Sequence, residues 1–235
     1  MASRRPAVSP RAVARRVAAL TAMQVQLRIE LRGVKPLVWR RILVPETVTL
    51  AKLHLILQRA MGWTNSHLHE YEIARCRYGV PNDDDDWPGA EPLTDERRVR
   101  LKPLLESGMR RFTYQYDFGD SWEHVIKVED LVPPTPGTPP VVCLAGANAC
   151  PPEDVGGYPG YAEFLAILAD PGHEEHAHMR SWVGRSFDPT AFNCTISRNG
   201  PARFRGNGPT LHGLPAEPRF ESSTRPVSLR QVFWL

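Results

Sequence analysis

Between Phe112 and Asp130 the chain reads FTYQYDFGDSWEHVIKVED, with Asp117, Asp120, Glu123, His124 and Trp122 gathered around Gly119. Carboxylates and an imidazole at such spacing can hold a divalent cation or work as an acid/base group. Asp117 and Asp120 flank a turn. On the strand that follows, Trp122, His124 and Ile126 share one face while Glu123 and Val125 share the other. A plain structural role fits the same residues: Asp at a hairpin turn caps backbone amides, and a His beside Trp and Ile is commonly a half-buried packing residue. Asp117-Phe118-Gly119 matches three letters of the kinase signature. The rest of that set, a Gly-rich loop and a His-Arg-Asp loop, is missing from the sequence, so the reading fails.

A second candidate is NSHLHEYE. On a strand, His67-x-His69 turns both imidazoles to one side, a spacing that suits a metal ion. If the strands are neighbours, His124 or Asp120 can join them. The expected divalent-metal set is therefore His67, His69, Asp117, Asp120 and His124. The candidates for acid/base catalysis are Asp120, His124, Glu153 and Asp154. In the competing reading, the two histidines only bond backbone in a loop. In CLAGANACPPEDVGGYPGY, six residues separate Cys143 from Cys150, wider than the usual structural zinc pairing. There Glu153 and Asp154 precede a helix whose dipole their charge complements. HEEHAH (173–178) lacks the H-E-x-x-H order and reads as a solvated helix face. His54 sits between Leu50 and Leu57 on an apolar helix face, where core packing is expected.

The elements that must position these groups follow from periodicity. Val25, Leu27, Ile29 and Leu31 alternate along one strand; VWRRILVP (38–45) is a second, broken from the first at Gly33–Pro36. Leu50, Leu53, Leu57 and Met61 fall at helical spacing, with Thr49 as N-cap and Gly62 as stop. HEYEIARCRYG reads as one strand. Phe112–Asp117 and Trp122–Glu129 form a hairpin. Pro133–Pro140, with five prolines, reads as a stiff linker or loop. YPGYAEFLAILADPG and HEEHAHMRSWVG read as two helices, the second stopping at Gly184. Helix and strand signals do not alternate regularly. The expected fold is therefore a single α+β domain, a mostly antiparallel sheet with a few packed helices.

The formal net charge of +3 conceals an uneven distribution. Residues 1–22 hold five Arg and no acid, and residues 195–235 hold six Arg and two Glu. Residues 23–194 are left with 18 basic and 24 acidic groups, a net of −6. An acidic middle does not attract phosphate backbones by itself. The expected organisation is a basic disordered extension over 1–22, a domain over 23–194 and a Gly/Pro/Arg-rich disordered tail over 195–235. Met23, where alternation begins, fits an alternative start. Four scattered cysteines make no disulfide scaffold, and the Arg-rich start lacks the apolar run of a secretory signal. The cytoplasm is the expected compartment, with no membrane contact.

Three stretches in order, VWRRILVPETVTLAKLHLILQRAMGWTNSHLHEYE, YQYDFGDSWEHVIKVED and CLAGANACPPEDVGGYPGYAEFL, resemble the plasmid pRiA ORF-three-like family. These are mobile-element passengers that carry a "resolvase-like" label. The likeness runs over roughly residues 24–193, including SFDPTAFN. It carries over Trp39, Arg40, His54, Gly62, Trp63, His67, His69, Asp117–Asp120, Trp122, His124, Cys143, Cys150, Pro151, Glu153, Asp154, Gly156, Gly157 and Tyr161. It implies an α+β domain without an assigned activity. Members commonly carry cysteine where this chain has Val155, which removes a thiolate from any zinc site there. A recombinase needs a nucleophilic Ser in an Arg-rich pocket and a DNA-binding helix pair, and the sequence shows neither. Three functions fit. The first is a binding or accessory module for a protein or, through the basic ends, nucleic acid. The second is a metal-assisted hydrolase on the His67/His69/Asp117/Asp120/His124 set. The third is a structural domain.

Overall fold

Among the described residues, eight strands and four helices follow one another: β1 (Gln24–Leu31), β2 (Trp39–Pro45), α1 (Leu50–Met61), β3 (His69–Ile73), β4 (Cys76–Gly79), β5 (Leu93–Asp95), α2 (Leu101–Glu106), β6 (Arg111–Tyr116), β7 (Trp122–Val132), β8 (Val142–Ala147), α3 (Gly157–Ala169) and α4 (His176–Trp182). The computed structural model describes residues 22–81, 92–184, 187–192, 194 and 196. The predicted basic ends lie outside these, apart from Ala22 and Ile196.

The strands form one sheet in the order β5-β4-β3-β6-β7-β1-β2-β8. Every neighbouring pair is antiparallel except β4 with β5. The predicted α+β class and its antiparallel sheet are what the molecule shows. Alternation places Val25, Leu27, Ile29 and Leu31, all fully buried, on one face of β1. The buried side of α1 (Leu50, Leu53, Leu57, Met61) packs onto that core. Polar bonds fix α1 there: Tyr71 Oη donates to Leu50 O at 3.0 Å, and Arg40 Nε to Ala60 O at 2.8 Å. Thr49 caps the helix by accepting from Lys52 N, and Gly62 ends it in the left-handed conformation.

The opposite face of the sheet carries cross-strand ion pairs. Arg41 meets Glu129 at 2.5 Å, Lys127 meets Glu30 at 2.7 Å and Arg77 meets Glu70 at 2.6 Å. Hydrogen bonds from Arg28 and then Lys127 hold the Glu30 carboxyl below its usual range, and Arg41 does the same for Glu129. The sheet therefore has a helix-covered apolar face and a charged one.

Two local readings are corrected, and one strand adds to those read from the sequence. HEYEIARCRYG is two strands, β3 and β4, joined at Ala74 and Arg75, both at positive φ (52° and 66°). This mirror-image turn normally announces itself with Asn-Gly, so Ala-Arg hid it. β8, inside the cysteine motif, lacks alternation and is a strand because it pairs with the edge of β2. The second C-terminal helix is short, seven residues, and none of them is buried.

Candidate metal centre

Three loops meet at one end of the β6–β7 hairpin: residues 63–67 after α1, the hairpin turn 117–121, and 153–157 before α3. Four side-chain-bearing residues of these loops, Asn65, Asp117, Ser121 and Asp154, have φ between 57° and 64°. Left-handed backbone is costly for such residues and gathers where the surroundings dictate the geometry.

His67, Asp117 and Asp154 each offer one ligand atom, and these atoms lie within 4.8 Å of one another. His67 Nε2 is 3.1 Å from Asp154 Oδ1 and 3.6 Å from Asp117 Oδ2. Neither contact has hydrogen-bond alignment, and the nitrogen itself is buried. Asp117 divides its two oxygens between tasks. Oδ1 accepts from Gly119 N at 3.0 Å and Asp120 N at 3.3 Å, which builds the turn, while Oδ2 faces His67. Asp117 thus caps its own turn through one oxygen and keeps the other toward His67.

The other candidates lie elsewhere or are otherwise engaged. Asp120 Oδ2 accepts from Gly156 N at 3.2 Å, tying the hairpin turn to the loop before α3. Glu153 accepts from Tyr116 Oη at 2.6 Å, Thr64 N at 3.1 Å and the Thr64 hydroxyl. Burial and this carboxylate push the Tyr116 phenol well above its ordinary value. Strand alternation does not pair His69 with His67, because β3 begins at His69 and His67 precedes it in a loop. His69 instead bonds Glu96 at 2.9 Å and stacks on His54, ring centroids 3.4 Å apart and nearly parallel. His54 completes this buried network with Tyr114 at 2.7 Å and Asn65. Burial, then the neighbouring His69, lowers the His54 pKa to about 3.

His124 is fully buried, with Nδ1 3.2 Å from Tyr114 O and its ring edge against Trp63. Desolvation lowers its pKa to about 4, so it packs as a neutral ring. The five-residue metal set predicted from spacing does not converge. Its members His67 and Asp117 stand together with Asp154, which the sequence suggested only as a base. In HEEHAH, His176 Nδ1 donates to Ile167 O at 2.9 Å and links α4 to α3, while His178 lines a cleft between these helices.

The close approach of two loops explains Gly157. It has φ 66°, and a Cβ there would stand 2.8 Å from Asp120 O. Gly157→Ala should therefore cost about 2 kcal/mol or more in urea unfolding, from left-handed strain plus the clash. A loss below about 0.5 kcal/mol would mean that these loops are not held as described.

The profile of the family described as "Plasmid pRiA4b ORF-3-like protein" matches residues 23–195. An uncharacterized protein, y4hQ, of Sinorhizobium fredii (strain NBRC 101917 / NGR234) is 45% identical over 175 residues, covering 74% of this chain and 88% of that protein. The crystal structure of MM3350, a protein of unknown function from Methanosarcina mazei Go1, superposes with a TM-score of 0.67 at 34% identity. That match covers 74% of this chain and 97% of the other. Neither relative carries an assigned activity. The chain belongs to the plasmid pRiA4b ORF-3-like protein family.

Proposed function

We propose that this protein is a binding module whose ligand site is organised by one divalent cation on His67, Asp117 and Asp154. The observation that carries the reading is the convergence of one imidazole nitrogen and two carboxylate oxygens within 4.8 Å. A buried nitrogen lone pair aimed between two carboxylates, without a hydrogen bond to either, suits a shared cation. One nitrogen and two oxygens favour Mn²⁺ or Zn²⁺ over the all-oxygen preference of Ca²⁺ and Mg²⁺. Three protein ligands leave coordination positions open to a ligand's anionic oxygen, a carboxylate or a phosphate. That chemistry suits either a protein or a nucleic-acid partner. Asp154 also lines the cleft of about 450 Å³ between α3 and α4, whose wall includes Phe164, Ile167 and Trp182. A ligand on the cation has an apolar shelf beside it. A cytoplasmic setting accords with four cysteines that are all free thiols.

A metal-assisted hydrolase is the second reading. It needs an unengaged base beside the cation. Glu153 and Asp120 both spend their carboxylates on holding the loops, which favours binding over hydrolysis.

Calorimetric titration of chelator-stripped protein with Mn²⁺ and Zn²⁺ tests this. One ion per chain is expected. Asp117→Asn and Asp154→Asn are the informative variants, because Asn tolerates the left-handed backbone both positions adopt (φ 58° and 60°). Each should weaken binding by more than the roughly 10–100-fold typical of an outer-shell partner. Absent binding at millimolar metal, or affinity unchanged in both variants, would overturn the reading. Metal-dependent phosphoester cleavage lost in Asp154→Asn would favour the hydrolase instead.

A further inference from the structure

Away from the candidate metal centre, three cysteines surround one buried arginine at the β2–β8 edge of the sheet. Arg40 is 1% exposed. Its guanidinium donates to Trp39 O at 2.8 Å, Ala147 O at 2.9 Å and Cys150 Sγ at 3.4 Å. Cys143 lies on β8. The segment that ends at Cys194 returns to the same edge. Ala149 N donates to Pro189 O at 3.0 Å, and the Phe192 ring lies 5.0 Å from Arg40 Cζ. Gly146 allows this approach, since a Cβ there would stand 2.3 Å from Phe192. Cys143 and Cys194 are both part-buried against the core at this edge, and the two thiols shift each other's pKa in opposite directions.

We propose that Cys143 and Cys194 are a redox-active thiol pair that low-molecular-weight disulfides convert to an intramolecular disulfide, fastening the segment through Phe192 to the edge strand β8. The assignment stands apart from the cation-site reading.

The two thiols differ in role. The neighbouring Cys143 thiol, then the Ile196 backbone N–H and the Arg40 guanidinium, hold the Cys194 pKa below its ordinary value. Cys143, whose S–H donates to Ala145 O at 3.8 Å, is pushed up by the neighbouring Cys194 and by burial, and stays a thiol. Cys150 is a poor competitor. It donates to Met61 Sδ at 3.7 Å, and burial raises its pKa to about 12. Among the described residues, no cysteine belongs to a metal-competent cluster. Arg40, a fixed cation among these sulfurs, opposes a second positive charge there.

The chemistry balances with oxidised glutathione as the oxidant. The Cys194 thiolate attacks one sulfur of the glutathione disulfide, forming a protein–glutathione bond and releasing one glutathione thiolate. Cys143 then gives up its proton and attacks the Cys194 sulfur, forming the protein disulfide and releasing the second glutathione. Two protein thiols are oxidised and one glutathione disulfide is reduced to two thiols.

Cys76 is exposed, so the experiment uses the full chain carrying Cys76→Ser. The protein is equilibrated in glutathione redox buffers, quenched with an alkylating reagent and mapped by peptide mass. The expected product joins Cys143 to Cys194 and carries no glutathione. Cys143→Ala should retain glutathione on Cys194, and Cys194→Ser should form neither species. At pH 7, iodoacetamide should modify Cys194 on the order of tenfold faster with Cys143 present than in Cys143→Ala. A bond from Cys143 to Cys150 would overturn the proposal. So would stable glutathione on Cys194 with Cys143 intact, or a Cys194 alkylation midpoint at or above the ordinary thiol value of about 8.5.

Discussion

Acidified from pH 7 to pH 4, the protein loses on the order of 6 kcal/mol of stability. Two buried imidazoles cause this. Unfolded, His54 and His124 protonate near the ordinary value of about 6.5. Folded, burial lowers them to about 3 and about 4. Between those limits the unfolded chain binds more protons than the native one, so stability falls as pH falls. Each histidine gives up about 1.4 kcal/mol per pH unit over that window, or about 3 kcal/mol by pH 4. Together the two losses match a large share of the about 5–15 kcal/mol that holds a typical domain folded. The ion-paired carboxylates Glu30 and Glu129, whose pKa values are depressed, add to the loss in the same direction at the acid end. Urea unfolding at pH 7, 5.5 and 4 measures it. The slope of stability against pH near 5 should correspond to nearly two protons from these imidazoles. Constant stability from pH 7 to 5 would show that His54 and His124 are not buried as neutral rings.

Arg40→Met should cost about 3 kcal/mol or more. Arg40 is not a partner in any ion pair among the described residues; its donors serve the carbonyls of Trp39, Ala60 and Ala147 and the Cys150 sulfur. A carbonyl left buried without a partner costs about 1–3 kcal/mol. Methionine fills the volume and supplies no donor, so the cost falls on the bonds rather than on a cavity. Arg40→Lys should recover only part of it, because one ammonium cannot span acceptors on α1, β2 and β8. The readout is the shift in urea midpoint at constant slope. A change below about 1 kcal/mol would mean that water reaches these carbonyls.

Sequence periodicity was most informative where a segment has one buried face. β1, α1 with both its caps, and the β6–β7 hairpin follow from spacing alone, because alternation and helical repeat record which side meets the core. Elements defined by their neighbours left weaker marks. α2 is a six-residue helix with a proline inside it, and β5 is three residues long, too short for either period to repeat. In the site, the hairpin pattern put Asp117 at the turn but could not give the loop that comes to face it. Asp154 arrives from 37 residues further along the chain. His124 was correctly placed on the face with Trp122 and Ile126, and that face is the fully buried one, which withdraws it from a solvent-facing site. Cys194 lies at the expected boundary of the tail, and its spacing gives no hint that the segment before it returns to the β8 edge.

The sheet order also bears on how the chain folds as it is made. β1 lies between β2, its immediate successor, and β7, which begins roughly 90 residues after β1 ends. A nascent chain can close the β1–β2 pair early, yet the other edge of β1 waits for Trp122–Val132 to leave the ribosome. At about 5–20 residues per second that interval is about 5–20 s. Throughout it, Val25, Leu27, Ile29 and Leu31 lack part of their cover and the edge offers unpaired amides to any passing strand. The vulnerable moment of this protein therefore belongs to its synthesis, and holding chaperones should bind the N-terminal hairpin and release it once β7 docks.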